Sequence, residues 1–296
     1  MEILMLGTSS MVPTKERNHS SVLVYHEKDS VLFDCGEGTQ RQMKIAGVDI
    51  NRITKILITH WHGDHVLGLP GLVQTMGAQN YDKTLHIYGP KGSKQHFEHL
   101  LKAFEFDLRI EIEVHDVSEG IIYKSSEYNI ESLELKHPVP TIGFAIVENP
   151  KRKMDLAAIK KLGIPKGPLW GRLQDGHSAE YKGKKINPDD VTKLVPGKKV
   201  AYVTDTLFCT NAVKLAENSD LLICEATFIS EREEKAEDYM HLTAQQAAQI
   251  ASMSHSKKLV LTHFSARYKT TSEIEEDAKT QFENTVCAYD FMKVRV

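Results

Sequence analysis

Residues 59–71 read THWHGDHVLGLPG: three histidines and an aspartate within six positions, directly after the apolar run Ile56-Leu57-Ile58. A buried strand has no use for that much titratable nitrogen at its end, so the stretch reads as a metal-ligand loop. His60 and His62 stand two apart, where a tight turn aims both imidazoles at one ion. Asp64 and His65 follow on the same turn and can face a second ion beside it. Imidazoles mixed with a few carboxylates suit zinc better than magnesium or calcium, which take oxygen shells.

Working outward, several apolar runs stop on a residue that binds metal or moves protons. VLF stops at Asp34, ILIT at His60, LELK at His137, AYVT at Asp205, LLIC at Glu225 and LVLT at His263. In open α/β sheets, ligands sit outside the carboxyl ends of the strands, so these segments are expected to converge there. By count, one ion takes His60, His62 and His137, and the other takes Asp64, His65 and His263. Asp205 can bridge both, and each ion keeps an open position for a shared water. Two ions ~3.5–4 Å apart clamp the attacking and leaving oxygens of an in-line displacement. A structural zinc would be closed by four ligands and richer in cysteine, so a catalytic role is expected. His96 and His99 read as surface residues of a helix. His19, His26, His86, His115, His177 and His255 read as structural or exposed.

Runs of four to six residues such as EILML, SVLVY, KILIT, LHIY, GFAIV and KLVLT are strands by length and composition. Between them GTQRQMKIAG, GLVQTMGAQN, SKQHFEHLLKAF, TAQQAAQIASM and EIEEDAKTQFE read as helices. Strands alternating with helices imply a layered α/β architecture. With 296 residues, 41% apolar and 26% charged, the chain can build a sizeable core. The N-terminus MEILMLGTSS reads as a first strand rather than a signal peptide, and no run approaches the ~18 apolar residues of a membrane span. The four cysteines form no CxxC pair, which fits a reducing, cytoplasmic setting.

Residues 149–198 break the pattern, holding five of the ten prolines and the segment GIPKGPLWGRLQDG. KMDLAAIKKLG reads as a short helix ended by Gly163 and Pro165. Leu156, Ile159, Leu162, Leu169 and Trp170 are too apolar for a solvated linker. From Lys151 to Lys199 there are 13 Lys+Arg against 5 Asp+Glu, a local +8 on a chain whose net charge is −3. Such segregation predicts a basic surface element on an acidic body.

HWHGDH with the later His137, Asp205 and His263 resembles the metallo-β-lactamase superfamily, and within it the ribonuclease Z family of tRNA 3′-processing endonucleases. The likeness runs through GTSSMVPTKERNHSSVLV, LFDCGEGTQRQM, HGDHVLGLPGL, YVTDT and LTHFSARY, in that order. It implies a four-layer αββα sandwich over residues 1–296, with 151–196 as an inserted arm that grips the tRNA. It also implies a zinc-dependent endoribonuclease that removes 3′ trailers from precursor tRNA, leaving a 3′-hydroxyl and a 5′-phosphorylated trailer. Two Zn²⁺ per subunit are expected, with Mn²⁺ or another divalent ion as substitute, and short family members are homodimers.

By the same resemblance, Asp64 is the proton acceptor, and His241, oriented by Glu225, is the acid for the departing 3′ oxygen. Lys15 and Arg17 are expected to hold phosphates, Asn18 a base or sugar edge, and Gly167, Pro168 and Arg172 the tRNA through the arm. One position departs from the family: Cys224 stands where a histidine usually precedes the glutamate, and any orienting bond from that side chain would be weakened. The competing readings are another enzyme of the superfamily (a thioester hydrolase, lactonase or β-lactamase), a phosphodiesterase of the same fold acting on a small or cyclic phosphodiester, and an RNA-binding scaffold with a vestigial site. PTKERN and the basic arm argue against the first, the arm against the second and the full set of donors against the third.

Overall fold

In the computed structural model, which describes residues 1–27, 29–105 and 107–296, the chain builds one sheet, then a second, and finally returns to the first. Strands β1 (Glu2–Gly7), β2 (Ser21–His26) and β3 (Asp29–Phe33) are antiparallel neighbours. Helix α1 (Thr39–Ala46) leads to β4 (Ile53–Leu57), which lies parallel to β3. The four-residue α2 (Gly63–Val66) grows directly out of the histidine loop, and α3 (Leu69–Ala78) follows it. Parallel β5 (Thr84–Gly89), helix α4 (Ser93–Lys102) and parallel edge strand β6 (Glu111–Asp116) complete this half.

The second sheet starts with antiparallel β7 (Gly120–Lys124), β8 (Tyr128–Glu134) and β9 (Ile142–Glu148). Residues 151–195 then leave the sandwich. They form β10 (Lys151–Met154), α5 (Leu156–Leu162), α6 (Pro168–Gln174), β11 (Ala179–Tyr181), β12 (Lys184–Ile186), α7 (Pro188–Val191) and β13 (Thr192–Val195). These strands pair only with each other, β10 with β13 and β11 with β12. They enclose a small core of Ile159, Ile164, Leu173, Ala179, Ile186 and Val191. Where the sequence showed one helix here, the fold has three: α5 starts on the Asp155 carboxylate and stops at left-handed Gly163, as the pattern implied.

The main chain resumes with β14 (Lys199–Val203), antiparallel to β9. Helix α8 (Thr210–Ala216), β15 (Leu221–Glu225), α9 (Glu233–Asp238), α10 (Ala244–Met253), β16 (Leu259–Thr262), α11 (Ser272–Lys279) and β17 (Thr285–Cys287) follow, with β14 to β17 parallel. Last, β18 (Lys293–Arg295) pairs with β1, so each sheet has seven strands.

Residue alternation sorts three hydrophobic layers. Ile3, Met5, Phe33, Phe144, Tyr202 and Ile223 meet between the sheets. Leu4, Leu6, Leu32 and Ile56 point out against α3 residues Leu72 and Met76. Leu222 and Leu261 point out against Ala247, Ala248 and Ala251 of α10, whose small side chains let that helix lie close to the sheet. The result is an αββα sandwich, and burial on both faces explains why the strands read as unbroken apolar runs. Strands β6, β7 and β18 were not legible as such, because their exposed positions dilute the apolar signal.

Candidate metal centre

The parallel strands β3, β4, β14, β15 and β16 end at one rim of the sandwich, and the titratable residues stand at or just past their ends, joined by His137 from beyond β8. Three of these residues, Asp34, Asp205 and His263, have positive φ (53°, 47° and 60°). Non-glycine residues seldom hold that conformation, and here it reverses the chain just past the strand.

Two groups of donors result. His60 Nε2 lies 3.0 Å from His62 Nδ1, and His137 Nε2 lies 3.3 Å from the same atom. Asp205 closes this group through Oδ2, 3.5 Å from His60 and 3.9 Å from His137. In the second group His65 Nε2 and His263 Nε2 are 3.3 Å apart, with Asp64 Oδ2 3.5 Å from each. Asp205 enters it through its other oxygen, Oδ1, 3.2 Å from His263 and 3.5 Å from His65. A tetrahedral ion bound at ~2.0–2.2 Å spaces its donors roughly 3.3–3.6 Å apart. The side chains therefore lie along the edges of two polyhedra that share Asp205, and both groups are able to hold a divalent metal.

Outer hydrogen bonds choose which ring nitrogen faces inward. His65 Nδ1 donates to Asp34 at 2.8 Å, and His137 Nδ1 donates to the Met240 carbonyl at 3.0 Å. His60 Nδ1 meets the Thr59 hydroxyl at 3.1 Å, which in turn donates to Asp34 at 3.0 Å. His263 Nδ1 meets the Thr227 hydroxyl at 3.0 Å, and that hydroxyl donates to Glu225 at 2.6 Å. Asp34 also accepts from the Thr59 N–H and the Tyr202 hydroxyl. It thus supports two histidines without facing the ions. Its strand-end position was visible in the sequence; this role was not.

Burial alone would raise the Asp205 carboxyl, but His263, His65 and His60 hold it well below the carboxylate range. His241 follows α9 and precedes the Thr243 N-cap of α10, so its backbone is pinned on both sides. Its Nδ1 faces Glu225 at 3.0 and 3.2 Å. Burial alone would lower this imidazole, yet Glu225 and then Asp205 push it up to about 9. His62, Asp64, His137, His241 and His263 line a cleft of about 470 Å³ whose walls include Met11, Val12, Phe228, Tyr239 and Arg267. The Arg267 guanidinium sits over the Phe228 ring, 5.4 Å from its centroid. Arg267, Phe228 and Tyr239 went unassigned in the sequence, although LTHFSARY contains the first.

Other expected site residues are placed differently. Lys15 is exposed, but Arg17 is only 7% exposed and donates Nη2 to the Tyr268 carbonyl at 2.6 Å. Asn18 donates Nδ2 to the Glu37 carbonyl at 2.8 Å, and its N–H reaches Asp290 at 2.8 Å. Arg17 thus faces inward, toward the Tyr268 carbonyl, while Asn18 is half-buried. Cys224 lies away from the cleft. It packs with Cys209, Ala247 and Leu261 on the helix-facing side of the second sheet, while Glu225 turns toward the centre. A thiol there orients nothing in the cleft. Gly167, Pro168 and Arg172 are exposed and lie outside the cleft lining, with Arg172 Nε donating to the Ser178 carbonyl.

Fold and centre together define a metal-binding protein of the metallo-β-lactamase superfamily. A family model described as "Beta-lactamase superfamily domain" matches residues 177–264, and one described as "Anti-Pycsar protein Apyc1" matches residues 1–154. Between them they take in both donor groups. The ribonuclease Z of Methanothermobacter thermautotrophicus is 40% identical over 297 residues, covering 100% of this chain and 97% of the relative. That of Crocosphaera subtropica is 39% identical over 306 residues, covering 100% and 98%. The solved structure of human tRNase Z, short form, matches with a TM-score of 0.74 at 28% identity, over 100% of this chain and 99% of that one. Because these relatives align from end to end, the chain belongs to the ribonuclease Z family. Among the described residues, no helix is long and apolar enough to cross a membrane.

Proposed function

We propose that the chain cuts one phosphodiester at the 3′ end of precursor tRNA with two zinc ions in its centre, leaving a tRNA 3′-hydroxyl and a 5′-phosphorylated trailer. Family membership makes it a hydrolytic tRNA-processing endoribonuclease. The observation that carries the two-ion reading is Asp205, with one oxygen turned to each donor group. His60, His62 and His137 would hold one ion, and Asp64, His65 and His263 the other. Zinc in such a donor set makes hydroxide available near neutral pH and polarises phosphoryl oxygen.

The chain's own groups do the rest. Asp64 accepts the proton of the attacking water. As the bond from phosphorus to the tRNA 3′ oxygen breaks, His241 delivers a proton to that oxygen, and Glu225 keeps the imidazole charged and aimed. Lys15 binds phosphate at the loop that Arg17 and Asn18 hold in shape. Residues 151–196 act as the tRNA-binding arm of a single catalytic domain. Lys160, Lys161, Lys166, Arg172, Lys182, Lys184 and Lys185 are all exposed there, a set suited to salt-sensitive backbone contacts. We place the enzyme in the cytoplasm as a homodimer, in which one subunit's arm presents tRNA to the other's centre.

The test is incubation with a precursor tRNA bearing a 3′ trailer, beside Asp64→Ala. A metal-dependent cut next to the trailer, lost in the variant, is expected; no cut would sink the reading. Deleting residues 155–193 separates tRNA from a small phosphodiester as substrate. Cleavage of tRNA should fall far more than cleavage of the small ester, and equal losses would remove the arm from substrate binding.

A further inference from the structure

We infer that His86, Glu113 and His115 form a further divalent-metal site, apart from the catalytic centre, which takes one ion of the zinc class and clips edge strand β6 to β5. In the parallel register of these strands His86 lies opposite Glu113 and Tyr88 opposite His115. Residues 86 and 88 share one face of β5, and 113 and 115 share the matching face of β6, because side chains alternate with period two. All three donors therefore stand on adjacent strands rather than on loops.

Their donor atoms form a near-equilateral triangle. His86 Nδ1 is 3.3 Å from His115 Nε2, and Glu113 Oε2 lies 3.4 Å from the first and 3.6 Å from the second. These are the same spacings that the catalytic donors show, and those of a tetrahedral ion bound at ~2.0–2.2 Å. A proton between the two nitrogens makes one N–H···N bond and leaves the Glu113 oxygen without a donor from that pair, and with a proton on each ring both N–H groups turn to Glu113. A single cation satisfies all three. Two imidazoles and a carboxylate select zinc, cobalt or nickel over magnesium or calcium.

The surroundings fit an ion that arrives from solvent. The side chains are 31%, 53% and 35% exposed, which leaves a fourth position open to water. Tyr88 stacks on His115 with ring centroids 4.6 Å apart and planes at 19°, fixing the imidazole. Burial and the neighbouring His86 ring lower the His115 pKa, favouring the neutral form that ligates. Lys55, opposite His86 on β4, is already paired with Asp29 at 2.9 Å, and Lys94 acts on His115 from farther along the chain. Among the described residues β6 ends its sheet and pairs with β5 alone. A bound ion would hold that free edge in place.

The experiment counts ions. Full-length protein is stripped with chelator, dialysed against micromolar free zinc and analysed for bound metal per chain, alongside His86→Gln and His115→Gln. Wild type should hold one more ion than either variant, while both variants cut precursor tRNA at the wild-type rate. Cobalt in place of zinc should give a visible absorption band whose intensity drops in both variants. Equal metal content in all three proteins would overturn the site, whatever the occupancy of the catalytic centre. The variants lie on different strands, so if one fails to fold the other still decides.

Discussion

Asp34 and His65 meet at 2.8 Å, carboxylate oxygen to Nδ1, with neither side chain open to solvent. The carboxylate fixes the ring so that Nε2 looks into the centre. Asp34→Asn removes its charge and one of its acceptors. Metal affinity should fall ~10–100-fold, the usual effect of losing an outer partner of a ligating histidine. Competition with a chromophoric chelator measures it, and unchanged affinity would contradict the supporting role.

His241 and Glu225 give a second test. His241→Ala should lower kcat on precursor tRNA by roughly 10²–10⁴-fold with metal content intact. On a phosphodiester with a nitrophenyl leaving group, which departs without a proton, the loss should be small. Equal losses on both substrates would exclude the acid role.

Cys224 sits fully buried against Ala247 and Leu261. The substitution Cys224→His should overpack this layer and cost about 1–3 kcal/mol of stability. Turnover should not rise, since the side chain faces away from the cleft. A urea-denaturation midpoint and a single-turnover rate decide the matter; faster cleavage would mean that the thiol impairs the acid.

Lys15 and Arg17 should separate cleanly although they are two residues apart. Lys15→Ala should weaken tRNA binding and reduce the slope of log affinity against log salt by about one. Arg17→Ala instead releases the carbonyls of Tyr268 and Ser265. It should lower thermal stability and cleavage together while leaving the salt slope in place. Matching salt slopes for the two variants would refute the distinction.

Asp290 supplies a pH dependence. Burial pushes its carboxyl up to about 6, against the pull of the Asn18 N–H, the Thr8 hydroxyl and Arg17. A group raised in the folded state contributes its stability below its unfolded pKa and loses it as pH rises through the folded one. Between pH ~4 and ~6, wild type should therefore lose on the order of 2 kcal/mol relative to Asp290→Asn. Urea midpoints across that range check the sign, and a constant gap would remove the carboxyl from the account.

Much of the centre was legible because its chemistry is local to strand ends. His60, His62, Asp64 and His65 lie within six positions of one another, on the turn after β4 and in α2, and His137, Asp205 and His263 each follow a recognisable apolar run. Cys224 could also have been placed. In LLICE the period of two sets residues 222 and 224 on the face opposite 221 and 223, with Glu225 at the strand end. Arg17 could not, since its partner carbonyl lies 251 residues away and only folding brings it near. His86 and His115 were passed over for the same reason: EIEVHD looks like a solvated stretch until its register beside β5 is known.

The sequence by itself determined the donor types, their positions at strand ends, the layered α/β plan and the segregated basic segment. These follow from side-chain chemistry and hydrophobic period, which are properties of short stretches. Only the tertiary structure decided that Asp205 turns one oxygen to each donor group, that Arg17 faces inward, and that residues 151–195 close around a core of their own. Each of those depends on segments far apart in the chain meeting at a few ångströms, and no local pattern carries that distance.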